Sequence, residues 1–490
     1  MRVEAGLRYR GVMHGPAPPK TPLAGAPGAA PSLADLADAV RQLRRGTVLV
    51  VGDAMLDRYV YGRVSRVSPE APVPVLTVER EVALPGGAGN VVRNLTALGA
   101  AVAFVSVVGD DQAGSDLTGL IGGQPGVEPW LLVQGGRATT TKTRFVATGQ
   151  QLLRADHELV APIHARLADR LVRIAGDAVA ATAVMVLSDY RKGVLAGDTP
   201  TRLIAAARTA GRRVLVDPKG GNHARYAGAD LIMPDVEELA EATGLPVGTE
   251  TEIAAAAAAL RRAHGFGAVM VIRGEPGITL VTGDAEGEIV QHMPSDVAEV
   301  VDPSGASDVV VAVAAAGLAA GLSLASIARL GALAAGIVLG KTGIAVVRED
   351  EFLEALTPGR LATRKMATRS EAAERVERWR RAGNRVGFLV GSAAEGAPEV
   401  VAQARGWCDR LVVGLGDADG AAAGLAELPG VDLIARFGGE TPLELIRLLR
   451  PDVLVQDPGR ATYAVPGGDL VQEWGGTVRS TVVAAEPTAA

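Results

Sequence analysis

The chain is short of cysteine, of aromatic side chains, of excess charge and of long apolar runs. One cysteine, Cys408, excludes an intramolecular disulfide and points to a reducing, cytoplasmic setting. Aromatic residues make up 3% of a chain that is 48% hydrophobic, so the core must come from Ala, Val and Leu. That favours helices packed on parallel strands. Lys and Arg number 49 against 55 Asp and Glu, interspersed, for a net charge of −6. Neither nucleic acid nor a membrane surface is expected as the main partner. Residues 1–33, rich in Pro, Ala and Gly, lack a secretory apolar core and read as a disordered tail. The Ala-rich stretches 253–260 and 309–320 are too short or too Gly-broken to span a bilayer. The sequon Asn94-Leu95-Thr96 carries no meaning without secretion.

What is present is a repeating unit. The 490 residues exceed one core and predict two or three domains. Val48–Val51 is a buried-strand run ending in Gly52-Asp53. The pattern recurs at 183–187, 213–216, 231–233 and 269–272, each followed by polar or turn residues. Helical stretches lie between, at 161–181, 199–210, 235–243 and 250–264. This alternation describes a doubly wound α/β sheet, whose ligands sit at the carboxyl ends of strands. Residues 57–82 alternate differently and read as a small β-excursion, a lid. Residues 357–383 are basic and read as a linker with an exposed helix. Strand–helix alternation then restarts, predicting a smaller α/β domain over 384–490.

Three segments carry chemistry. Asp302-Pro303-Ser304-Gly305-Ala306-Ser307-Asp308 opens a long apolar helix. Small residues let the backbone aim N–H groups at one spot, where the helix adds its positive end. Asp308 would accept a proton from an attacking hydroxyl. On its own, the segment fits a capped helix equally well. Pro85-Gly86-Gly87-Ala88-Gly89-Asn90 again opens a helix, with Asn90 able to donate and accept. Asp53 and Asp57 close a buried strand and suit sugar hydroxyls. Two near misses are set aside. Gly336-Ile-Val-Leu-Gly340-Lys341-Thr342 is one residue short of a phosphate loop, and Gly414-Leu-Gly416-Asp-Ala-Asp-Gly420 has the wrong spacing for a dinucleotide turn.

Together these segments resemble the ribokinase (PfkB) family of sugar kinases. The likeness is greatest to its branch that joins a heptose-7-phosphate kinase to a heptose-1-phosphate adenylyltransferase. The residues that carry it are 50–59, 65–74, 85–90, Thr141-Lys-Thr-Arg144, Gln150-Gln-Leu-Leu-Arg154, Leu187–Gly193, Val216–Lys219 and His292-Met-Pro294 leading into 302–308. The resemblance spans roughly 45–355 and implies a ribokinase-like kinase domain over 34–356. It implies phosphorylation of a sugar phosphate by ATP at the anomeric hydroxyl. Asp308 would be the base, with Gly305, Ala306 and Ser307 as the anion hole. Asp53, Asp57, Gly86, Gly87, Asn90, Arg154 and Asp189 would face the sugar, and Lys192 its phosphate. Lys219, Asp235, Glu238, Arg273, Gly274 and Gly277 would bind the nucleotide, Asp235 and Glu238 ordering a Mg²⁺ shell. Homodimerisation through the lid is also implied.

There are departures. Ser307 stands where the family has Gly, at a cost of about 1–2 kcal/mol if φ there is positive. Asp235 replaces an Asn, and Ala332 replaces an Asn of the nucleotide-site helix. Residues 384–482 resemble the Rossmann-like adenylyltransferase half, in phrases such as Cys408-Asp-Arg-Leu-Val-Val413 and Arg450-Pro-Asp-Val-Leu-Val455. Its His-x-Gly-His signature is absent from Val390-Gly-Ser-Ala-Ala-Glu-Gly-Ala-Pro398, and Gln456 replaces a usual Lys. All six histidines, 14, 157, 164, 223, 264 and 292, precede this region. The expectation is a heptose 7-phosphate kinase fused to an inactive transferase domain. Two alternatives stay open, a kinase of another sugar and a non-catalytic sugar-phosphate or nucleotide sensor.

Overall fold

The computed structural model describes residues 31–147, 150–283, 287–295, 300, 302–341, 343–357, 365–381, 383–390, 397–416, 422–428, 430–438, 441–456 and 466–481. The expected tail lies outside them up to residue 30. Ser32 caps helix α1 (Leu33–Leu43), accepting from the Asp35 N–H while Asp35 reaches back to the Ser32 N–H.

The first unit follows the expected alternation. Its apolar runs form β1 (Thr47–Gly52), then the long ribbon β2 (Ala54–Val67) and β3 (Pro74–Gly87). Next come α2 (Ala88–Ala97), β4 (Ala101–Gly109), α3 (Gln112–Gly122), β5 (Val127–Gln134), β6 (Thr141–Ala147) and β7 (Gln150–His157). The middle of the unit runs α4 (Ala165–Val179), β8 (Val184–Ser188), α5 (Thr199–Thr209), β9 (Arg213–Asp217), β10 (Leu231–Ile232), α6 (Val236–Thr243) and α7 (Glu250–His264). It closes with β11 (Ala268–Ile272), β12 (Ile278–Gly283), β13 (Glu288–Met293), α8 (Ala306–Ala319), α9 (Leu324–Leu339) and α10 (Glu349–Ala355).

The main sheet has nine strands in the order β13-β12-β11-β10-β9-β8-β1-β4-β5. It is parallel from β11 to β5, with β12 and β13 antiparallel at one edge. Alternate residues of β1 fill opposite faces: Val48 and Val50 pack with α2, α8 and α9, and Leu49 and Val51 with α4 and α5. Helix α8 is buried all round, from Val309 to Leu318. Its Val and Ala side chains let it lie between β1, α2 and α9, which answers the shortage of aromatics. The P-loop near miss falls in the same kind of environment, with Gly336 inside buried α9.

The lid is larger than expected. Strands β2 and β3 pair with β6 and β7 in a separate four-stranded sheet, order β3-β2-β6-β7. Long-range pairing brought in 141–157, which no local pattern joined to 57–82.

The second unit is a six-stranded parallel sheet. Its core strands are Arg410–Gly416, Val386–Val390 and Val453–Gln456. The expected linker is corrected here. Met366–Ala367 adds an edge strand beside Leu433–Phe437, and helix Arg369–Arg381 buries Ala372, Val376 and Trp379 against the same sheet. The buried positions 372, 376 and 379 keep the helical spacing, but they form a narrow stripe among Arg and Glu residues, so composition made the helix look exposed. Arg410 Nη2 lies 3.8 Å from Glu275 Oε1 of the first unit. Among the described residues, no helix is long and apolar enough to cross a membrane.

Candidate active site

The β1–β2 junction, the start of α2, the loop after β8 and the start of α8 converge at the carboxyl ends of the parallel strands. Asp308, in the first turn of α8, is buried, and both its oxygens are engaged. Asn90, in the first turn of α2, donates from Nδ2 to Asp308 Oδ2 at 2.7 Å. Arg93 donates to Asn90 Oδ1 at 2.9 Å, which holds the amide with its N–H₂ toward the carboxylate. The Tyr190 hydroxyl donates to Asp308 Oδ1. Burial pushes the Asp308 carboxyl up to about 6, against the pull of the two donors.

Gly305 precedes α8 with φ +79°, and no side chain caps the helix. The Ala306 N–H makes a long 3.4 Å bond to the Pro303 carbonyl, and no side chain takes the N–H groups at this helix start beside Asp308, the usual setting for an external acceptor. A Cβ on Gly305 would meet Asn90 Nδ2 at 2.8 Å. Ala306 and Ser307 follow within the helix, and Ser307 is not among the positive-φ residues. The expected strain at Ser307 is therefore absent, because the left-handed position is 305. Asp302 braces the approach, accepting from the Ser304 and Gly343 N–H groups at 2.9 and 3.0 Å.

The two aspartates expected to face the sugar are held by different partners. Asp57 is paired with Arg144 at 2.5 Å across β2 and β6, with Gly86 pressed against it. A Cβ at 86 would lie 1.8 Å from Asp57 Oδ2. Asp53 is fully buried, and its oxygens accept from the N–H groups of Tyr190, Lys192 and Val194 at 2.9–3.0 Å. It organises the loop that carries Tyr190. Its carboxyl is pushed up to about 6 by burial, then by Asp189. Gly87 caps α2 with φ +55°.

Asp189 is also buried and accepts from Arg191 N and the Tyr226 hydroxyl, at 2.7 and 2.5 Å. Lys192 Nζ pairs with Glu158 at 2.7 Å. Arg154 lies exposed on edge strand β7, bonded to Asp156. Its cross-strand neighbour Arg144 is the lid arginine that reaches the site.

On the other side of Tyr190, Lys219 stands 5.9 Å from the ring centroid and bonds Glu238 at 2.6 Å. Burial opposes the Lys219 charge, but Asp217 and Glu238 outweigh it and push the ammonium up. Asp235 caps α6 in a reciprocal box with Glu238. Arg273 pairs with Glu250 at 2.6 Å, beside a turn in which Gly274 and Gly277 have φ +69° and +103°. Ala332 is enclosed in α9 and offers no polar group. Among the described residues, no cluster of three or more His, Cys, Asp or Glu could cage a metal. Asp235 and Glu238 fit only an ion held through water and ligand phosphates.

Tyr190, Arg93, Arg144 and Asp217 were missed as site residues. Each sits in or beside a segment with a recognisable pattern, but only the tertiary contacts reveal its direction. Buried Asp217 accepts from the Ser188 hydroxyl at 3.2 Å, and burial pushes its carboxyl up to about 8. In the second unit, 391–396 and 417–420 lie outside the described residues; they take in most of the segment where the His-x-Gly-His signature was sought and the end of the dinucleotide near miss, whose Gly414 and Gly416 close a buried strand.

Residues 45–350 match the model of the pfkB family carbohydrate kinases. A protein from Acidiphilium cryptum named "Bifunctional protein HldE" is 55% identical over 464 residues, covering 91% of this chain and 94% of that one. The protein of the same name from Paramagnetospirillum magneticum is 48% identical, with 91% and 95% covered. Arabidopsis thaliana ribokinase, solved with ribose and ATP, superposes with a TM-score of 0.51 at 21% identity, over 64% of this chain and 99% of that one. Escherichia coli phosphofructokinase-2, solved with fructose-6-phosphate, gives 0.52 at 20% identity, over 64% and 98%.

Proposed function

The chain belongs to the pfkB family of carbohydrate kinases, and from that premise we propose that it transfers the γ-phosphoryl of ATP to the anomeric hydroxyl of a heptose 7-phosphate, giving the 1,7-bisphosphate. One observation carries the reading. A buried carboxylate, Asp308, is clamped by Asn90 and Tyr190 at the uncapped start of α8. ATP supplies the phosphoryl group. Asp308 takes the proton from the sugar hydroxyl as it attacks, using lone pairs that its two donors leave open. The N–H groups of 305–307 hold the oxygens of the phosphoryl in flight. Asp57, fixed by Arg144, and Asn90 orient the sugar, while Lys192 serves its 7-phosphate. Lys219 and the 273–277 turn serve the nucleotide, and Asp235 and Glu238 order the water shell of Mg²⁺.

The same reading makes the second unit inactive in nucleotidyl transfer. Residues 365–490 contain no histidine, and no neutral side chain replaces two imidazoles beside a triphosphate. The lid would pair with a second copy, since Val64, Val67, Val73 and Val78 expose apolar surface on β2, β3 and their connection.

The test is product formation from heptose 7-phosphate and ATP, with Asp308→Asn as control. The 1,7-bisphosphate should form, and the variant should be roughly 10²–10⁴-fold slower. Equal background ATP turnover by both proteins would sink the kinase reading. Nucleotide-sugar formation from heptose 1-phosphate would overturn the inactive second unit.

A further inference from the structure

An asparagine side chain has a donor end and an acceptor end of nearly the same shape, and its terminal torsion is two-fold. The partners of one end therefore settle what the other end presents. Asn90 is buried in the first turn of α2. Its Nδ2 donates to Asp308 Oδ2 at 2.7 Å. Turned over, the amide would set its carbonyl oxygen against a carboxylate oxygen. That arrangement repels an ionised Asp308 and suits only the protonated acid, whose O–H could donate.

The acceptor end of Asn90 is where the choice is made. Arg93 lies three residues on along the same helix, and its Nη1 donates to Asn90 Oδ1 at 2.9 Å. A guanidinium has no acceptor, so a turned amide would face it donor to donor. Asn94 also approaches Asn90 Oδ1, at 3.5 Å, but its Nδ2 bonds the Asn90 carbonyl more closely, at 2.9 Å. Arg93 is thus the nearer partner that tells the two ends apart. Burial pulls the Arg93 guanidinium down, against Asp57, Tyr59 and Asp308, yet an arginine stays charged. Asp308 is also faced by Tyr190 after β8, by Asp217 of β9 and Lys219 beyond it, and by Asp57 of β2. Those groups act on Asp308 directly. Arg93 has, besides its charge, the route through Asn90.

We propose that Arg93 is a positioning residue for the base: by holding the Asn90 amide from its acceptor end, it ensures that Asp308 meets a donor and not a second acceptor. The inference rests on Asp308 being the base of the proposed kinase. Arg93 touches no reacting atom in this role. It keeps the neighbour of the base turned the way that favours the ionised carboxylate.

The experiment is an infrared titration of the full chain. It follows the carbonyl stretch of the protonated Asp308 carboxyl, identified by its loss in Asp308→Asn. Arg93→Met should move the midpoint up by roughly one pH unit, since Asp308 loses its assured donor. Arg93→Lys keeps a charged donor and should return the midpoint toward wild type. The decisive arm is a double-mutant cycle with Asn90→Ala. In that background Arg93→Met should move the midpoint less than half as far, because the route is already cut. A midpoint unmoved in Arg93→Met alone, or half the shift or more without Asn90, overturns the proposal. If Arg93→Met melts well below wild type, Arg93→Gln takes its place in the cycle. In turnover, the acid limb of kcat/KM should move with the infrared midpoint. The titration needs no turnover, so a chain inactive on heptose 7-phosphate would count against the kinase reading, while the cycle still decides the role of Arg93.

Discussion

At the scale of single residues, the site is a set of buried acids kept apart in role by their donors. Asp308 keeps two donors, and removing one destabilises its charged form. Tyr190→Phe should therefore raise the carboxyl above about 6 and move the acid limb of the kcat/KM profile to higher pH, with thermal stability little changed. An unshifted limb would mean that Asp308 is not the titrating base. Asp217 has the opposite consequence for the fold. Its folded-state carboxyl is raised to about 8 from 3.8, so between those values the folded protein keeps a proton that the unfolded chain has lost. Stability from this group is then lost as pH rises through that window. Asp217→Asn should flatten the fall in melting temperature between pH 5 and 8, measured by calorimetry against wild type. Residue types here were legible in the chain, since acids at strand ends announce a site. Which acid meets substrate was not. Asp53 and Asp57 are four positions apart on the chain, yet one is saturated by loop N–H groups and the other by a lid arginine.

At the scale of elements, two helix starts decide the chemistry. The α8 start depends on Gly305, which carries both the left-handed φ and the close approach of Asn90. Gly305→Ala should cost about 1–2 kcal/mol of stability from the backbone alone. It should also displace Asn90 from Asp308 and lower kcat at least 10-fold. A variant with normal kcat would show that the clamp is dispensable. Helix α8 itself was readable from its Ala and Val run, because an all-round apolar helix has few places to go but the centre. The lid was half readable. Its first hairpin is local in sequence, whereas β6 and β7 join it through a parallel pairing of β2 with β6 that spans about eighty residues.

At the scale of the whole molecule, two sheets share one chain, and the boundary lies earlier than composition suggested. Helix Arg369–Arg381 and the strand Met366–Ala367 belong to the second sheet. A fragment starting at 365 should therefore be soluble with a cooperative melt. One starting at 384 loses the burial of Val376 and Trp379, worth roughly 1.5–3 kcal/mol for each side chain, and should aggregate or melt lower. Circular dichroism of the two fragments decides this, and equal stability would return residues 365–383 to the status of a linker.

The α/β class, the strand–helix alternation between residues 183 and 272 and again after 386, the long apolar helix after Asp308 and the acid-and-glycine vocabulary of the site were determined by the chain alone. Periodicity and turn residues are local properties and need no partner to be read. Tertiary structure decided what required two distant segments to meet: the Asn90–Asp308–Tyr190 clamp, the pairing of Arg144 with Asp57, and the transfer of residues 365–381 to the second sheet. Each of these is a matter of direction and pairing, set by burial and hydrogen bonding across the fold, on which a linear pattern of residue types is silent.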